Sequence, residues 1–364
     1  MIATGSAEDP DGADAPGAEA PAIDARGLVR RYGNVVALAG LDLLVRRGEV
    51  VGLLGHNGAG KTTLVRVLGC LLAADAGTAA LFGLPIADPR ARVEIRRRIG
   101  VLPQDPGLYD RLTAEENLAS HGRLYGLADA HLARRVGELL ELSGLSGERR
   151  RRVGTFSGGM KKRLAIARAL VNDPELVFLD EPTTGLDPAA THAMHEHIAA
   201  LAARGGCTIV LCTHNLAEAE RLCSRVVILE RGREVASGSP AELERRFGGA
   251  RRAQIAVRAL DAPAVEAVRG AAGISAVRVV GPNQLELDLG GDGALPAAVA
   301  ALVAAGAEVT RAVEVRPTLE DVYLRLAGGD AAGVGDAAGG PDTAGGGDAA
   351  GGPDTPGGGG GARK

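Results

Sequence analysis

The stretch that decides the fold is residues 50–63, Val50-Val51-Gly52-Leu53-Leu54-Gly55-His56-Asn57-Gly58-Ala59-Gly60-Lys61-Thr62-Thr63. It begins with a short apolar run, typical of a strand buried on both faces, and Leu64 to Leu72 follow with helical character. The turn between them matches G-x-x-x-x-G-K-[ST]. Glycines let successive backbone N–H groups point at phosphate oxygens, and the helix N-terminus adds partial positive charge. The sequence therefore predicts a phosphate-binding loop.

Each part of this loop has an expected task. Lys61 supplies a point charge to the β and γ phosphates of a nucleotide, and the Thr62 hydroxyl is a ligand for Mg²⁺. A dinucleotide-binding turn, G-x-G-x-x-G, is the rival for a glycine-rich loop, but it would need glycine at position 63, where Thr63 stands. The residues expected to bind the nucleotide here are Gly55, Asn57, Gly58, Gly60, Lys61, Thr62 and Thr63.

A second buried strand, Leu176 to Leu179, is followed at once by two acids. At the carboxyl end of that strand Asp180 would lie beside the nucleotide, where it can hold Mg²⁺. Glu181 is then the candidate general base for an attacking water. Elsewhere two adjacent acids would be ordinary surface charges.

The remaining pattern completes an α/β core. Apolar strands at Thr208–Cys212 and Val226–Leu229 alternate with helical stretches, which favours a parallel sheet, and residues 113–172 are mostly helical. We therefore predict a phosphate-loop NTPase core over residues 21–240, with an inserted helical subdomain at about 105–172.

A smaller unit is predicted at residues 241–327. Its strands and helices alternate in the order βαββαβ, the pattern of a split βαβ sandwich, which makes it a small accessory α+β domain. Residues 1–20 and the Gly/Ala/Asp/Pro-rich repeats of residues 328–364 lack the hydrophobic residues that would offset chain entropy. We expect both segments to be disordered.

Composition narrows the function classes. The chain has 364 residues, 46% of them apolar but only 2% aromatic, and a net charge of -4. No nucleic-acid partner is expected, because the basic runs Arg96–Arg98 and Arg149–Arg152 carry no interleaved aromatic residues for stacking. Only four of the 41 basic residues are lysines. His192, His195 and His197, on one helix, are expected to form a solvated face rather than a metal site.

The segment Phe156-Ser157-Gly158-Gly159-Met160-Lys161-Lys162-Arg163 precedes an apolar helical run, and its Ser-Gly-Gly residues indicate a second anion-binding surface. Ser157, Gly158 and Gly159 offer a hydroxyl and backbone N–H groups at a helix start. Alone, a Ser-Gly-Gly sequence would only indicate a loop.

Together with the phosphate loop, this segment makes residues 22–240 resemble the ATP-binding cassette (ABC) ATPases of membrane transporters. The family signature is usually L-S-G-G-Q, which stands here as Phe-Ser-Gly-Gly-Met at residues 156–160. The resemblance implies four further site residues. They are Tyr32 stacking on adenine, Gln104 touching Mg²⁺ and sensing the transport partner, Asp187 linking two nucleotide sites, and His214 contacting the γ-phosphate.

Met160 is the departure from the signature, and it is similar to the branch that serves drug, antibiotic and polysaccharide exporters. The segment Pro317 to Leu326 also resembles the ending of that branch, especially of daunorubicin/doxorubicin-type resistance exporters. Met160 leaves the Ser157 and glycine contacts intact, so this departure does not indicate an inactive site.

The resemblance implies a homodimer that meets head to tail, with each ATP between the Lys61 loop of one chain and the Ser157-Gly158-Gly159 segment of the other. ATP and Mg²⁺ are the expected cofactors, and Glu181, His214 and Gln104 the catalytic residues. A separate integral-membrane permease is implied, because no apolar run in the chain reaches the ~18 residues of a span. We expect a cytoplasmic protein, peripheral on the cytoplasmic face of the membrane, that powers efflux of a drug or antibiotic-like molecule.

Four other functions are alternatives to this interpretation of the sequence. The first is a soluble ABC ATPase acting on nucleic acid or ribosomes, although such chains usually carry a long coiled-coil insertion or two cassettes. The second is an exporter of another cargo, such as polysaccharide, lipid or ions. The third is an importer ATPase, which the Met160 signature disfavours. The fourth is a GTPase, but no N-K-x-D motif occurs.

Overall fold

A computed structural model describes residues 19–105, 107–203, 206–248, 251–315 and 317–327. The predictions of disorder therefore fall almost wholly on residues outside the described ones. The described strands are, in chain order, β1 (Ile23–Tyr32), β2 (Val35–Val45), β3 (Val50–Leu54), β4 (Ala76–Leu81), β5 (Leu84–Pro85), β6 (Ile99–Leu102), β7 (Leu176–Asp180), β8 (Thr208–Thr213), β9 (Arg225–Glu230), β10 (Arg233–Gly238), β11 (Arg251–Val257), β12 (Ile274–Gly281), β13 (Gln284–Leu289) and β14 (Val309–Val315).

The α-helices alternate with these strands. They are α1 (Lys61–Leu68), α2 (Pro89–Arg98), α3 (Ala114–Leu124), α4 (Asp129–Leu142), α5 (Gly158–Ala169), α6 (Pro188–Ala203), α7 (Leu216–Leu222), α8 (Pro240–Phe247), α9 (Ala262–Arg269), α10 (Ala294–Ala304) and α11 (Leu319–Ala327). Among the residues that the structure describes, no helix is long and apolar enough to cross a membrane.

The central sheet has six strands in the order β10-β9-β3-β8-β7-β6, and only the edge strand β10 runs antiparallel to its neighbour. Every residue of β3, β7 and β8 is buried, as their continuous apolar runs predicted. The carboxyl ends of these strands meet at one edge of the sheet, where the phosphate loop follows β3. The predicted α/β core with its inserted helical subdomain, α3 to α5, is confirmed.

A second sheet was not predicted from the sequence. Its four antiparallel strands, in the order β2-β1-β4-β5, cover one face of the central sheet, and Ile23, Leu38 and Leu81 share a core with α1 and with Phe178 of β7. Register shifts interrupt the pairing of β1 with β2 between Ala25 and Leu28 and again between Arg30 and Arg31. Such bulges break the alternation of apolar and polar residues by which a half-buried strand is recognised.

The small C-terminal unit has its own sheet, in the order β12-β13-β11-β14, with every neighbouring pair antiparallel. Helices α9 and α10 cover one face, and Ile255, Leu285, Leu287 and Leu302 form its core. The predicted βαββαβ order and the α+β class of this unit are confirmed.

Two helices that flank the small unit in sequence belong to the ATPase core instead. Leu243 of α8 and Leu319 and Val322 of α11 are buried in the same cluster as Leu54 of β3, and the Leu319 N–H donates to Glu220 Oε1 at 2.9 Å. Thr318 and Asp321 cap α11, with the Thr318 N–H donating to Asp321 Oδ2 at 2.9 Å. The described residues form one compact unit. A division at residue 240 stays a prediction, and packing contacts cross it.

Candidate functional site

The phosphate loop needs glycine for steric reasons. Gly60 stands before α1 with φ +110°, and a β-carbon there would lie 2.5 Å from the Ala37 carbonyl oxygen. At Gly55 a β-carbon would lie 2.6 Å from the Leu229 carbonyl oxygen. Side chains at either position would force the loop away from β2 or β9, so these glycines fix its curled shape.

Lys61 lies inside the loop that precedes it. Its Nζ donates to the Gly55 carbonyl at 2.5 Å and to the His56 carbonyl at 3.2 Å, and the residue is buried. A buried ammonium needs such partners, because an uncompensated charge away from water is costly. The loop therefore holds a cation in the cavity that it lines.

Thr62 and Asp180 meet across the cavity from two different elements. The Thr62 hydroxyl, in the first turn of α1, donates to Asp180 Oδ2 at the end of β7 over 2.9 Å. Burial raises the pKa of the Asp180 carboxyl, and the Thr62 hydrogen bond opposes that rise. The pair brings a hydroxyl and a carboxylate oxygen together, the donor types that Mg²⁺ prefers.

Glu181 has a strained backbone. Its φ is +54°, in the left-handed region that non-glycine residues rarely adopt, at a cost of about 1–3 kcal/mol. The backbone N–H donates to the Cys212 carbonyl at 2.9 Å. Its carboxylate oxygen Oε2 accepts a hydrogen bond from the Thr184 hydroxyl at 2.8 Å, and the other oxygen, Oε1, lies 2.9 Å from His214 Nδ1. Strain of this size persists where surrounding contacts enforce it, which is typical of functional sites.

An open cavity of about 360 Å³ brings most of the predicted nucleotide residues together. The residues that line it are Tyr32, Val35, Ala37, His56, Asn57, Gly58, Gly60, Lys61, Thr62, Thr63, Gln104, Asp180 and Glu181. Gly55 does not line the cavity, but its carbonyl accepts a hydrogen bond from Lys61, which does. His214 does not line the cavity either, but it contacts the carboxylate of Glu181, which does. The size suits a small-molecule ligand.

Tyr32 and Gln104 come to this cavity from two different strands. Tyr32 is the last residue of β1, and Gln104 follows β6. Tyr32 is 43% exposed, and the Arg30 guanidinium lies 5.3 Å from its ring centroid. An exposed aromatic face at a cavity is suited to stacking on a planar base. Gln104 is exposed.

The Ser157-Gly158-Gly159 segment does not line the cavity. Ser157 caps α5, and its hydroxyl accepts from the Met160 N–H at 3.3 Å. Ser157 and Gly158 are exposed, and a β-carbon at Gly158 would meet no atom within 4 Å. The first turn of α5 therefore presents backbone N–H groups outward, and Met160 does not disturb the cap.

Asp187 is likewise absent from the cavity lining. It is exposed at the start of α6, where its Oδ1 accepts from the Ala190 N–H at 2.8 Å. This is the geometry of a helix cap, which the segment would adopt with or without a nucleotide role.

The expectation of a solvated histidine face on α6 was wrong for one member. His192 is exposed, but His195 is buried, and its Nε2 lies 3.3 Å from Oε1 of the fully buried Glu218 on α7. The cause is the position of α7 against that side of α6. Within the described part of the chain, no cluster of three or more His, Cys, Asp or Glu side chains is arranged to hold a metal ion.

Two residues near the site were missed by sequence analysis. Thr184 hydrogen-bonds the Glu181 carboxylate, and Lys162 Nζ donates to the Glu181 carbonyl at 2.9 Å. The rarity of lysine in this chain was the only signal for Lys162. Nothing in the sequence marked Thr184.

Comparison with known families and structures agrees with this geometry. Residues 38–184 match the family model described as ABC transporter, and residues 238–327 match the model for the C-terminal domain of DrrA1-3-like ATP-binding proteins. A Nod factor export ATP-binding protein I from Rhizobium sp. (strain N33) is 40% identical over 313 residues, covering 84% of this chain and 97% of the relative. The protein of the same name from Burkholderia lata is 48% identical over 221 residues, covering 61% and 72%.

Solved structures give the same result. The ATP binding subunit of an ABC transporter shares 37% identity and a TM-score of 0.56, covering 62% of this chain and 93% of that one. A dimeric, post-hydrolysis ATP-binding cassette, MJ0796 bound to ADP and Pi, shares 26% identity and a TM-score of 0.55, covering 60% and 98%. The chain belongs to the ATP-binding subunits of ABC transporters, ATPases coupled to transport, in the branch that contains the export ATP-binding proteins.

Proposed function

We propose that this chain is the ATP-hydrolysing motor of an exporter that expels a drug or antibiotic-like molecule through a separate membrane permease. The observation that carries the motor function is the cavity in which Lys61, Thr62, Asp180 and Glu181 meet. The match of residues 238–327 to DrrA1-3-like proteins supports the drug-export branch. The chain would work at the cytoplasmic face of the membrane, where ATP is available.

The site residues divide the work on ATP. Tyr32 stacks on the adenine, and the loop residues Gly55, Asn57, Gly58, Gly60 and Thr63 surround the phosphates. Lys61 exchanges its carbonyl partners for the β and γ phosphate oxygens, a stronger, charge-assisted interaction. Glu181 accepts a proton from water as the water oxygen bonds to the γ-phosphorus. The bond from that phosphorus to the bridging oxygen breaks, and ADP and phosphate leave.

The donor set fits Mg²⁺. Thr62 Oγ1 and Asp180 Oδ2 are 2.9 Å apart, and Gln104 lines the same cavity. Two or three protein oxygens are what Mg²⁺ takes when substrate phosphates and water supply its other ligands. Thr62, Asp180 and Gln104 would hold the ion, which neutralises phosphate charge when bound. His214, beside the Glu181 carboxylate, is placed to contact the γ-phosphate.

A homodimer is proposed because the two phosphate-binding surfaces of one chain do not share a cavity. The exposed Ser157 and Gly158 lie outside the lining of the Lys61 cavity. In a head-to-tail pair each surface would face the other chain's loop, with Asp187 between the two sites. The dimeric structure of the MJ0796 cassette with ADP and Pi supports a dimer.

The identity of the exported molecule is a separate part of the proposal. The curated relatives are named for Nod factor export, so an exporter of a different cargo is the second candidate. A soluble ATPase acting on nucleic acid has no comparable support.

The test is transport in inverted membrane vesicles that contain this chain and the permease encoded beside its gene. We expect ATP-dependent uptake of daunorubicin and drug-stimulated ATP hydrolysis, both lost in a matched Glu181→Gln preparation. Uptake of a Nod factor without any uptake of drug would overturn the proposed cargo but not the proposed ATPase motor. Absence of an adjacent permease gene, with ATP hydrolysis stimulated by nucleic acid, would overturn transport itself.

A further inference from the structure

Lys162 connects the two phosphate-binding surfaces within one chain. It lies in the second turn of α5, the helix that Ser157 caps, and its Nζ donates to the Glu181 carbonyl oxygen at 2.9 Å. Its neighbour Lys161 points elsewhere and pairs with Asp110 at 2.8 Å on the surface. The chain contains only four lysines against 37 arginines, so a lysine aimed at the site's central carboxylate residue stands out from the composition.

Lys162 is partly buried, and its neighbours include three acidic side chains. Asp180, Glu181 and Glu218 all raise its pKa, while burial lowers the pKa and has the larger effect. Glu218 is fully buried, and neither of its carboxylate oxygens has a hydrogen-bond partner. His195 Nε2 lies 3.3 Å from one of these oxygens, without the alignment of a hydrogen bond. Lys162 therefore places a cation among three acidic side chains, those of Asp180, Glu181 and Glu218.

The contact is to the backbone of Glu181, and that backbone is the strained one. At φ +54° a small rotation would swing the carboxylate away from His214 and Thr184. Lys162 holds the carbonyl on one side of the residue, while the Cys212 carbonyl holds its N–H on the other. The bond needs a cationic donor that can reach this carbonyl, which the Lys162 ammonium supplies.

We propose that Lys162 is a positioning residue that holds the strained Glu181 backbone and ties it to the first turns of α5. The inference rests on the proposed role of Glu181 as the general base. Because Ser157 would serve the partner's ATP and Glu181 the chain's own, Lys162 would connect the two nucleotide sites of a dimer. Lys162 does not line the cavity, so it acts on the rate of hydrolysis and not on nucleotide binding.

The experiment compares steady-state ATP hydrolysis by the full chain and by Lys162→Met, Lys162→Arg and the matched control Lys161→Met. For Lys162→Met we expect kcat to fall about tenfold or more while KM stays within about twofold, because only the positioning of the base is lost. Lys162→Arg keeps a cation and donors, and should recover most of that loss. Lys161→Met should hydrolyse ATP like the unmodified chain.

Three results would overturn the inference. They are equal kcat values for Lys162→Met and Lys161→Met, a loss confined to KM, and a loss that Lys162→Arg does not reduce. If Lys162→Met does not fold, Lys162→Gln, which keeps a donor without the charge, is judged by the same kcat and KM criteria. Glu181→Gln is measured alongside: if it hydrolyses ATP normally, the general base assignment fails instead. If it is inactive while Lys162→Met is normal, only the positioning role fails.

Discussion

The six-stranded sheet and the four-stranded sheet of residues 251–315 both contain apolar and charged residues, but the two sheets place their charged residues differently. Strands β3, β7 and β8 are buried on both faces, and the polar side chains that follow them meet at one edge. The four-stranded sheet is covered on one face only, and its other face carries surface ion pairs such as Arg278 with Asp288. Burial on both faces confines the polar groups of the first sheet to strand ends. That confinement concentrates charge where a substrate can bind.

The largest effect should come from removing the Glu181 carboxylate, which follows β7 of the six-stranded sheet. Glu181→Gln should reduce ATP hydrolysis by about a hundredfold or more, because an amide cannot accept the water's proton. Nucleotide binding should remain, and light scattering should show an ATP-stabilised dimer. Glu286→Gln, which removes a carboxylate paired with Arg278, is the matched control and should leave hydrolysis unchanged.

The contrast between the sheets would be broken if Glu286→Gln lowered hydrolysis as much as Glu181→Gln. Normal ATP hydrolysis by Glu181→Gln would show that Glu181 is not the general base.

The next effect concerns where the small unit ends. Its two connections to the core lie together, since a β-carbon at Gly248 would be 2.3 Å from Cβ of Pro317. Replacing residues 249–316 by a short Gly/Ser linker should therefore preserve nucleotide binding and the core's melting temperature, as for an inserted domain. Ending the chain at Pro240 also removes the buried Leu243, Leu319 and Val322, each worth about 1.5–3 kcal/mol of burial.

Thermal unfolding with and without an ATP analogue distinguishes these two variants. The expected order is a clear loss of melting temperature for the chain ending at Pro240 and little change for the linker variant. Equal melting temperatures would show that α8 and α11 do not support the core.

Most of the residues that line the cavity could be predicted from the sequence, but not every neighbour in space. Short buried strands followed by glycine or acid are local signals, so Lys61, Asp180 and Glu181 could be found from their sequence context alone. The return of α11 to the ATPase core could not, because the residues that meet Leu319 lie about a hundred positions earlier. Neither could the burial of His195, which depends on how α7 packs against α6. The second sheet could not be predicted either, because bulges in β1 and β2 interrupt the alternation of apolar and polar residues.

The smallest effect should follow from deleting residues 328–364, which lie outside the described residues. Their composition lacks hydrophobic side chains apart from alanine and one valine, so their removal takes little apolar surface from any core. ATP hydrolysis and melting temperature should change very little, as measured on the purified truncated chain. A melting temperature several degrees lower would mean that this segment packs on one of the two sheets.

The central claim is that each ATP is held by the Lys61 loop of one chain and the Ser157 segment of another. Mixing Lys61→Ala with Ser157→Arg tests it most directly, because each variant breaks both sites of its own homodimer. A mixed dimer keeps one intact site, so a 1:1 mixture should recover about a quarter of the normal ATPase rate from two inactive proteins. A mixture as inactive as either variant alone would contradict the shared site.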